Sequence, residues 1–377
     1  NNGKWERKST GTEDLAQAKE KASALYWEAQ ALAAHNLPQA TRTFSSVAKS
    51  VVAELEGTKE THDWKQVYKH YIGVINSYQI PYFGRTRLDN IRPKYKGYQA
   101  YVTKELGRQP SQSTIATHNS ALKLIFDKAV DAGYMTQLSV PRLDTRGSSS
   151  QRRPTFELSE YRNLLNKLRA WKKKPTHRIK DAEIRQLLYD YVMFLANTGI
   201  RHGREAMDLK WQDLSFKKSI RGNELVVFRV LKKKGRKATQ LWRDVVMRNP
   251  YGNAINILNR LKDRQAATSG FTVEQLIASR NGAKIFALSD GAQPARMDGT
   301  FKKFLHESGL TFGYENKPRT LYSWRHFYAT VELTRRKNIN IALLARQMGT
   351  SIAMLEKHYG HLDVVKYGDA LSGRTEW

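Results

Sequence analysis

The chain contains no cysteine. That excludes a disulfide scaffold, a thiolate zinc site, an iron–sulfur cluster and a cysteine nucleophile. It also has no apolar run approaching the roughly 20 residues that cross a bilayer. It opens Asn1-Asn2-Gly3-Lys4-Trp5, without a start Met and without the apolar stretch of a signal peptide. The expectation is a soluble intracellular protein, trimmed at its start, with no membrane partner. Acidic residues are scarce too, with 35 Asp and Glu against 64 Lys and Arg. No glycine-rich phosphate loop is present, and no cluster of carboxylates or histidines suggests a two-metal site. The sequence therefore implies neither a nucleotide cofactor nor a metal.

What remains is enough for real cores. Of 377 residues, 40% are hydrophobic and 10% aromatic. That excludes wholesale disorder, and the length suggests two or three domains. The formal charge of +29 calls for a polyanion. Lys and Arg neutralise phosphates and release counterions, which drives sequence-independent nucleic-acid binding. A ribosome-type basic protein or a membrane-surface binder would share the charge. Here, however, the basic residues are spread along the whole chain and interleaved with amphipathic helical patterns.

Residues 3–12 alternate and end in turn residues, as the last strand of a small sheet would, and residues 13–34 predict a helix. Residues 1–36 read as a fragment of a small N-terminal domain. Residues 41–143 read as a compact, basic, all-helical bundle. One helix starts within Thr41–Val47 with Phe44 buried. A second covers 64–78 and is broken by Pro81-Tyr82-Phe83-Gly84. A third is capped by Ser113-Thr114 and ended by Gly133. Residues 144–154 read as a flexible linker with three arginines able to lie along phosphates. In residues 155–377 the patterns predict helices at 158–173, 184–197, 252–262, 301–308, 321–335, 341–348 and 351–359. Two strands, 224–230 and 239–247, flank a turn at Gly235. The fold class is mainly α with a small β-sheet (α+β).

Four stretches carry chemistry. In Thr198-Gly199-Ile200-Arg201, an Arg after a helix break can aim a guanidinium fork into a cleft, where it suits a phosphate bidentately. At the hairpin tip, Lys232-Lys233-Lys234-Gly235 offers a Lys that could protonate a leaving alkoxide or contact a minor groove. Tyr322-Ser323-Trp324-Arg325-His326 supplies a second Arg. Gly349-Thr350-Ser351, followed by Glu356-Lys357-His358-Tyr359, supplies a Tyr that can attack a phosphodiester and form a phosphotyrosine. Each has a plain alternative: a turn Arg, a solvated charge run, or a packed aromatic among 18 tyrosines.

In order and spacing these stretches resemble the tyrosine recombinase (phage-type integrase) family. The resemblance runs from about Phe44 to His361. Residues 41–143 are similar to the family's helical core-binding domain, 155–377 to its catalytic domain, and 1–36 to the end of an arm-site DNA-binding domain. Gly349 precedes Tyr359 by 10 residues, the family's spacing between its late glycine and its nucleophile, which favours Tyr359 over Tyr367 or Tyr328. The resemblance implies that Arg201 and Arg325 hold the scissile phosphate and stabilise its pentacoordinate transition state. Tyr359 would attack it, leaving a 3′-phosphotyrosine and a free 5′-hydroxyl. Lys233 would be the general acid, with Lys234 as the alternative. Glu205 stands where the family has an acidic residue, one position later than in many members.

Two positions depart from the family pattern. Tyr322 replaces its usual His, and Thr350 its usual His or Trp. Both can hydrogen-bond a phosphate oxygen, but neither accepts a proton well near pH 7. Either they only bind and position, or the enzyme is slower than its relatives. His326 and His358 lie nearby in sequence, but His326 follows its Arg on a different helical face, and a His beside the nucleophile is a weak signal. The implied activity is site-specific DNA recombination by the integrase of a mobile element. It would act on double-stranded attachment sites as a homotetramer, with DNA-bending accessory proteins, in the prokaryotic cytoplasm at the nucleoid. A type IB topoisomerase shares this chemistry, and a non-catalytic DNA-binding relative would share the fold. The arm-like N-terminus and the core-binding unit favour the recombinase.

Overall fold

The computed structural model describes residues 9–34, 42–60, 65–148, 154–231, 242–248, 253–294, 297–313, 316–335 and 340–359. Residues 1–151 and 152–377 form two compact units, each with its own apolar core. The strand expected at 3–12 lies mostly outside the described residues, and residues 9–12 carry no strand.

The first unit is helical: α1 (Leu15–Ala34), α2 (Phe44–Gly57), α3 (Gln66–Val74), α4 (Ile80–Phe83), α5 (Ile91–Tyr95), α6 (Tyr98–Leu106) and α7 (Gln112–Asp131). Thr43 caps α2 by accepting from Ser46 N at 3.4 Å. Phe44, Val47, Ala48, Val51 and Leu55 follow at three- and four-residue spacing and are buried. α7 presents Ala121, Leu122, Ile125, Phe126 and Ala129 to the same core. Its cap is Ser111, which accepts from Thr114 N at 3.2 Å, two residues ahead of the expected Ser113.

Pro81 does not break its helix where the sequence suggests. α3 widens into a π turn over Ile75–Gln79, and Ile80 N–H bonds Ile75 O. α4 then begins with Pro81 in its first turn, where a missing N–H leaves no bond unmade. The chain leaves the helix at Gly84, whose φ of +44° suits glycine. Residues 144–148, read from sequence as linker, pack on this unit. Asn119 donates to Asp144 O at 2.8 Å, Ser148 N–H to Pro110 O at 3.1 Å, and Gln112 N–H to Ser148 O at 3.0 Å.

A buried polar link ties α6, α7 and the π turn. Gln79 Nε2 donates to His118 O at 2.9 Å, and Tyr98 Oη lies 2.8 Å from His118 Nδ1. Burial pushes the His118 imidazole down to about 4. The unfolded chain takes up this proton near pH 6.5 but the folded chain only near 4, so the contribution is full above 6.5 and falls as pH drops toward 4. The loss is about 2 kcal/mol once partial solvent screening is allowed for. Urea unfolding at pH 7.5 and 4.5 checks this: the stability gap between wild type and His118→Gln is expected to narrow at the lower pH.

The second unit contains α8 (Leu158–Trp171), α9 (Ile179–Thr198), α10 (Arg204–Met207), β1 (Leu214–Lys218), β2 (Glu224–Leu231), β3 (Trp242–Val246), α11 (Asn253–Arg264), α12 (Val273–Ala278), α13 (Met297–Glu307), α14 (Ser323–Arg335), α15 (Ile341–Met348) and α16 (Ile352–Tyr359). The strands form one antiparallel sheet in the order β1-β2-β3. β1 was not foreseen. Leu214 and Phe216 are its only apolar residues, so pairing with β2 makes it a strand.

α9 runs through the core, buried on nearly every side from Leu187 to Thr198. Within it, Asp190 is fully buried and held by Arg260 and Arg264, each at 2.7 Å. Removing one side of a buried ion cluster strands the rest. Asp190→Ala is expected to cost about 3–5 kcal/mol, read as a lower urea midpoint.

Candidate active site

α9 ends at Gly199, in the left-handed region at φ +66°. A Cβ there would sit 2.3 Å from the Tyr328 ring, so only glycine lets α9 end against α14. Ile200 turns into the core, and Arg201 follows half-buried at the wall of a cleft of about 1250 Å³. Glu205, Arg243, Gly349, Thr350 and Ser351 share that wall.

The C-terminus of α15 organises the cluster. A helix end leaves carbonyls without intrahelical donors, and its dipole is negative there. Three consecutive carbonyls are met by three different arginines. Gln347 O accepts from Arg243 Nε at 3.4 Å, Met348 O from Arg325 NH1 at 2.6 Å, and Gly349 O from Arg201 NH2 at 2.7 Å. Arg325 NH1 also donates to Gly199 O at 2.8 Å, which joins the ends of α9 and α15. Gly349 is left-handed at φ +65°, closing α15 before α16 begins.

One carboxylate serves this group. Glu205 Oε1 accepts from Arg201 NH1 at 2.6 Å, and Oε2 from Arg243 NH2 at 2.8 Å and from Arg201 N–H at 3.0 Å. Burial alone would raise the Glu205 carboxyl, but the bonds from Arg243 and Arg201 hold it below the usual carboxylate range. Burial, reinforced by Arg201 nearby, pushes the Arg325 guanidinium down to about 10, which leaves it charged at neutral pH. Three guanidiniums against one carboxylate leave a positive surplus in a partly buried place, which an anion in the cleft would offset.

Of the residues singled out from sequence, Arg201 and Arg325 meet at one helix end, and Thr350 lines the cleft beside them. Tyr322 is half-buried at the start of α14, with His202 and His326 rings at 6.2 and 5.3 Å from its own. Lys233 and Lys234 lie outside the described residues. Tyr359 closes α16, but its side chain is outside the described residues. Tyr328 is a packing residue, buried on α14 beneath Arg248. Sequence reasoning missed Arg243 and Gln347. A signal existed for Arg243: it occupies an inward position of β3, in phase with Val245. Gln347 gave none.

No protein-family model and no curated protein matches the chain. Solved structures do. An integrase of the transposon Tn1549, in complex with a circular intermediate DNA, is 14% identical, with a TM-score of 0.58 over 89% of this chain and 100% of that one. The XerH site-specific recombinase on its difH substrate is 16% identical, with a TM-score of 0.51 over 81% and 76%. A lambda integrase dimer bound to a core site is 15% identical, with a TM-score of 0.53 over 83% and 78%. The chain has the tyrosine-recombinase fold. The sequence resemblance implied that fold, as mainly α with one small sheet. Within the tyrosine-recombinase fold of this chain, the arginine cluster sits where α9, β3, α14 and α15 converge. Among the described residues no helix is long and apolar enough to cross a membrane, and no group of three His, Asp or Glu is placed to hold a metal ion.

Proposed function

We propose that the protein is a site-specific DNA recombinase that cuts and rejoins DNA through a 3′-phosphotyrosine. The observation that carries this reading is the surplus of guanidinium at one helix end on an open cleft, one short helix ahead of Tyr359. Arg201 and Arg325 hold the scissile phosphate and offset the charge that grows on its oxygens in the transition state. Tyr359 Oη attacks phosphorus as its proton passes to water, the bond to the 5′ oxygen breaks, and Lys233 protonates that oxygen. Tyr322 and Thr350 bind phosphate oxygens without taking a proton. One phosphodiester replaces another, so the reverse step needs no nucleotide.

The partners follow from the same chemistry. Residues 41–143 act as a core-binding domain and 155–377 as the catalytic domain, joined through 144–154, with 1–36 as the end of an arm-site domain. Lys and Arg outnumber acidic residues by 64 to 35, which suits duplex DNA. Recombination exchanges four strands, so the working form is a homotetramer on two attachment sites, aided by DNA-bending proteins and located at the DNA of a prokaryotic cytoplasm.

The test is strand exchange between two labelled duplexes from the element's own ends, run beside plasmid relaxation. Recombinant product upholds the reading. Relaxation of any supercoiled plasmid without exchange would instead make the protein a topoisomerase-like enzyme. Binding with neither would make it a non-catalytic relative.

A further inference from the structure

We infer that Arg243 is a positioning residue for DNA cleavage, holding Arg201 and the turn ahead of α16 in one register. The inference rests on the recombinase reading of the site. Arg243 lies on the inward face of β3, opposite Val230 of β2, and is only 9% exposed. A charge on that face persists only when paired. Its partners are the machinery itself. NH2 bonds the Glu205 oxygen that also receives the Arg201 backbone N–H, and Nε bonds Gln347 O, the carbonyl next to the one Arg325 holds.

Arg243 also packs against Gly349. A Cβ there would lie 2.6 Å from Arg243 Cζ, so the guanidinium fills the space that glycine leaves. The contact therefore fixes how the chain leaves α15 and enters α16. Arg243 is not needed merely to fasten β3 to α15. Gln347 already does that, accepting from Val246 N–H at 3.0 Å and donating to Val246 O at 2.7 Å. What Arg243 adds is alignment of Arg201, through Glu205, with the turn that leads to Tyr359.

The test uses the full chain and a DNA duplex nicked beside the cleavage position, scoring covalent adduct on a denaturing gel. With wild type active, Arg243→Met is expected to slow adduct formation about 100-fold, the scale of a misplaced reacting group. DNA affinity should stay within about threefold, because phosphate contacts elsewhere supply it. Arg243→Lys, which can still reach Glu205, should recover about tenfold. Glu205→Gln should cost about as much as Arg243→Met, and the double variant little more, because the pair acts as a unit. A wild-type rate from Arg243→Met, or fully additive losses, would overturn the inference. Absence of adduct from wild type with DNA bound would overturn the recombinase reading instead. A second measurement needs no cleavage: Gly349→Ala should lower the urea midpoint more in wild type than in Arg243→Met. Equal penalties in both backgrounds would show that Arg243 does not set the turn.

Discussion

Tyr359→Phe is expected to abolish the covalent protein–DNA adduct, a loss of more than about 10⁴-fold in cleavage, with DNA affinity within about threefold of wild type. Phe keeps the ring and removes only Oη, the atom that must bond phosphorus. The helix that carries the residue should survive the change, because α16 is seated by Leu355, buried with Leu344, Ala345 and Met348 of α15. Fast-kinetic measurement on a nicked substrate, with binding read on the same DNA, separates the two effects. Adduct from Tyr359→Phe would move the nucleophile to another tyrosine. Tyr328 is excluded by burial against Gly199, which makes Tyr367 the next to replace.

The second large effect belongs to Arg325. Arg325→Lys is expected to slow cleavage about 10²–10³-fold while the chain stays folded. The guanidinium bridges Gly199 O and Met348 O, so it links the end of α9 to the end of α15 and places a charge there. A Lys keeps the charge but is a single point donor, unable to hold two carbonyls and a phosphate oxygen as a planar fork does. The pH profile supplies a check. The folded pKa is pushed below the usual arginine value to about 10, so the charge is present throughout pH 6–9 and cleavage should show no step there from this group. A lowered folded pKa also means that the charge disfavours the folded state at every pH below 10. Sulfate or phosphate should therefore raise the melting temperature of wild type more than that of Arg325→Met.

Much of this protein is legible in its sequence because the signals are local. Capping residues, left-handed glycines and apolar spacing mark α2, α7, α9 and α15 within a few residues of where they occur. The absence of cysteine and the excess of Lys and Arg limit the chemistry before any element is placed. The order of Arg201, Arg325, Gly349 and Tyr359 carries the resemblance to the tyrosine recombinases, and the fold that this resemblance implies is the one the chain has. Two local readings met a nonlocal answer. Pro81 suggested a break, but the π turn before it let the helix continue to Gly84. Residues 144–148 read as free linker, but their backbone is bound to the N-terminal end of α7 and its neighbours.

Tertiary structure alone decided how the site is built. β1 is a strand because β2 lies beside it. Tyr322 acquired two histidine neighbours, one of them 120 positions away along the chain. Above all, the three carbonyls at the end of α15 are consecutive in sequence, but their donors arrive from 104, 23 and 148 positions away. A helix end advertises unmet acceptors locally. Which donors meet them depends on the register of β3, on where α9 stops and on where α14 starts, and those are set by packing in the core.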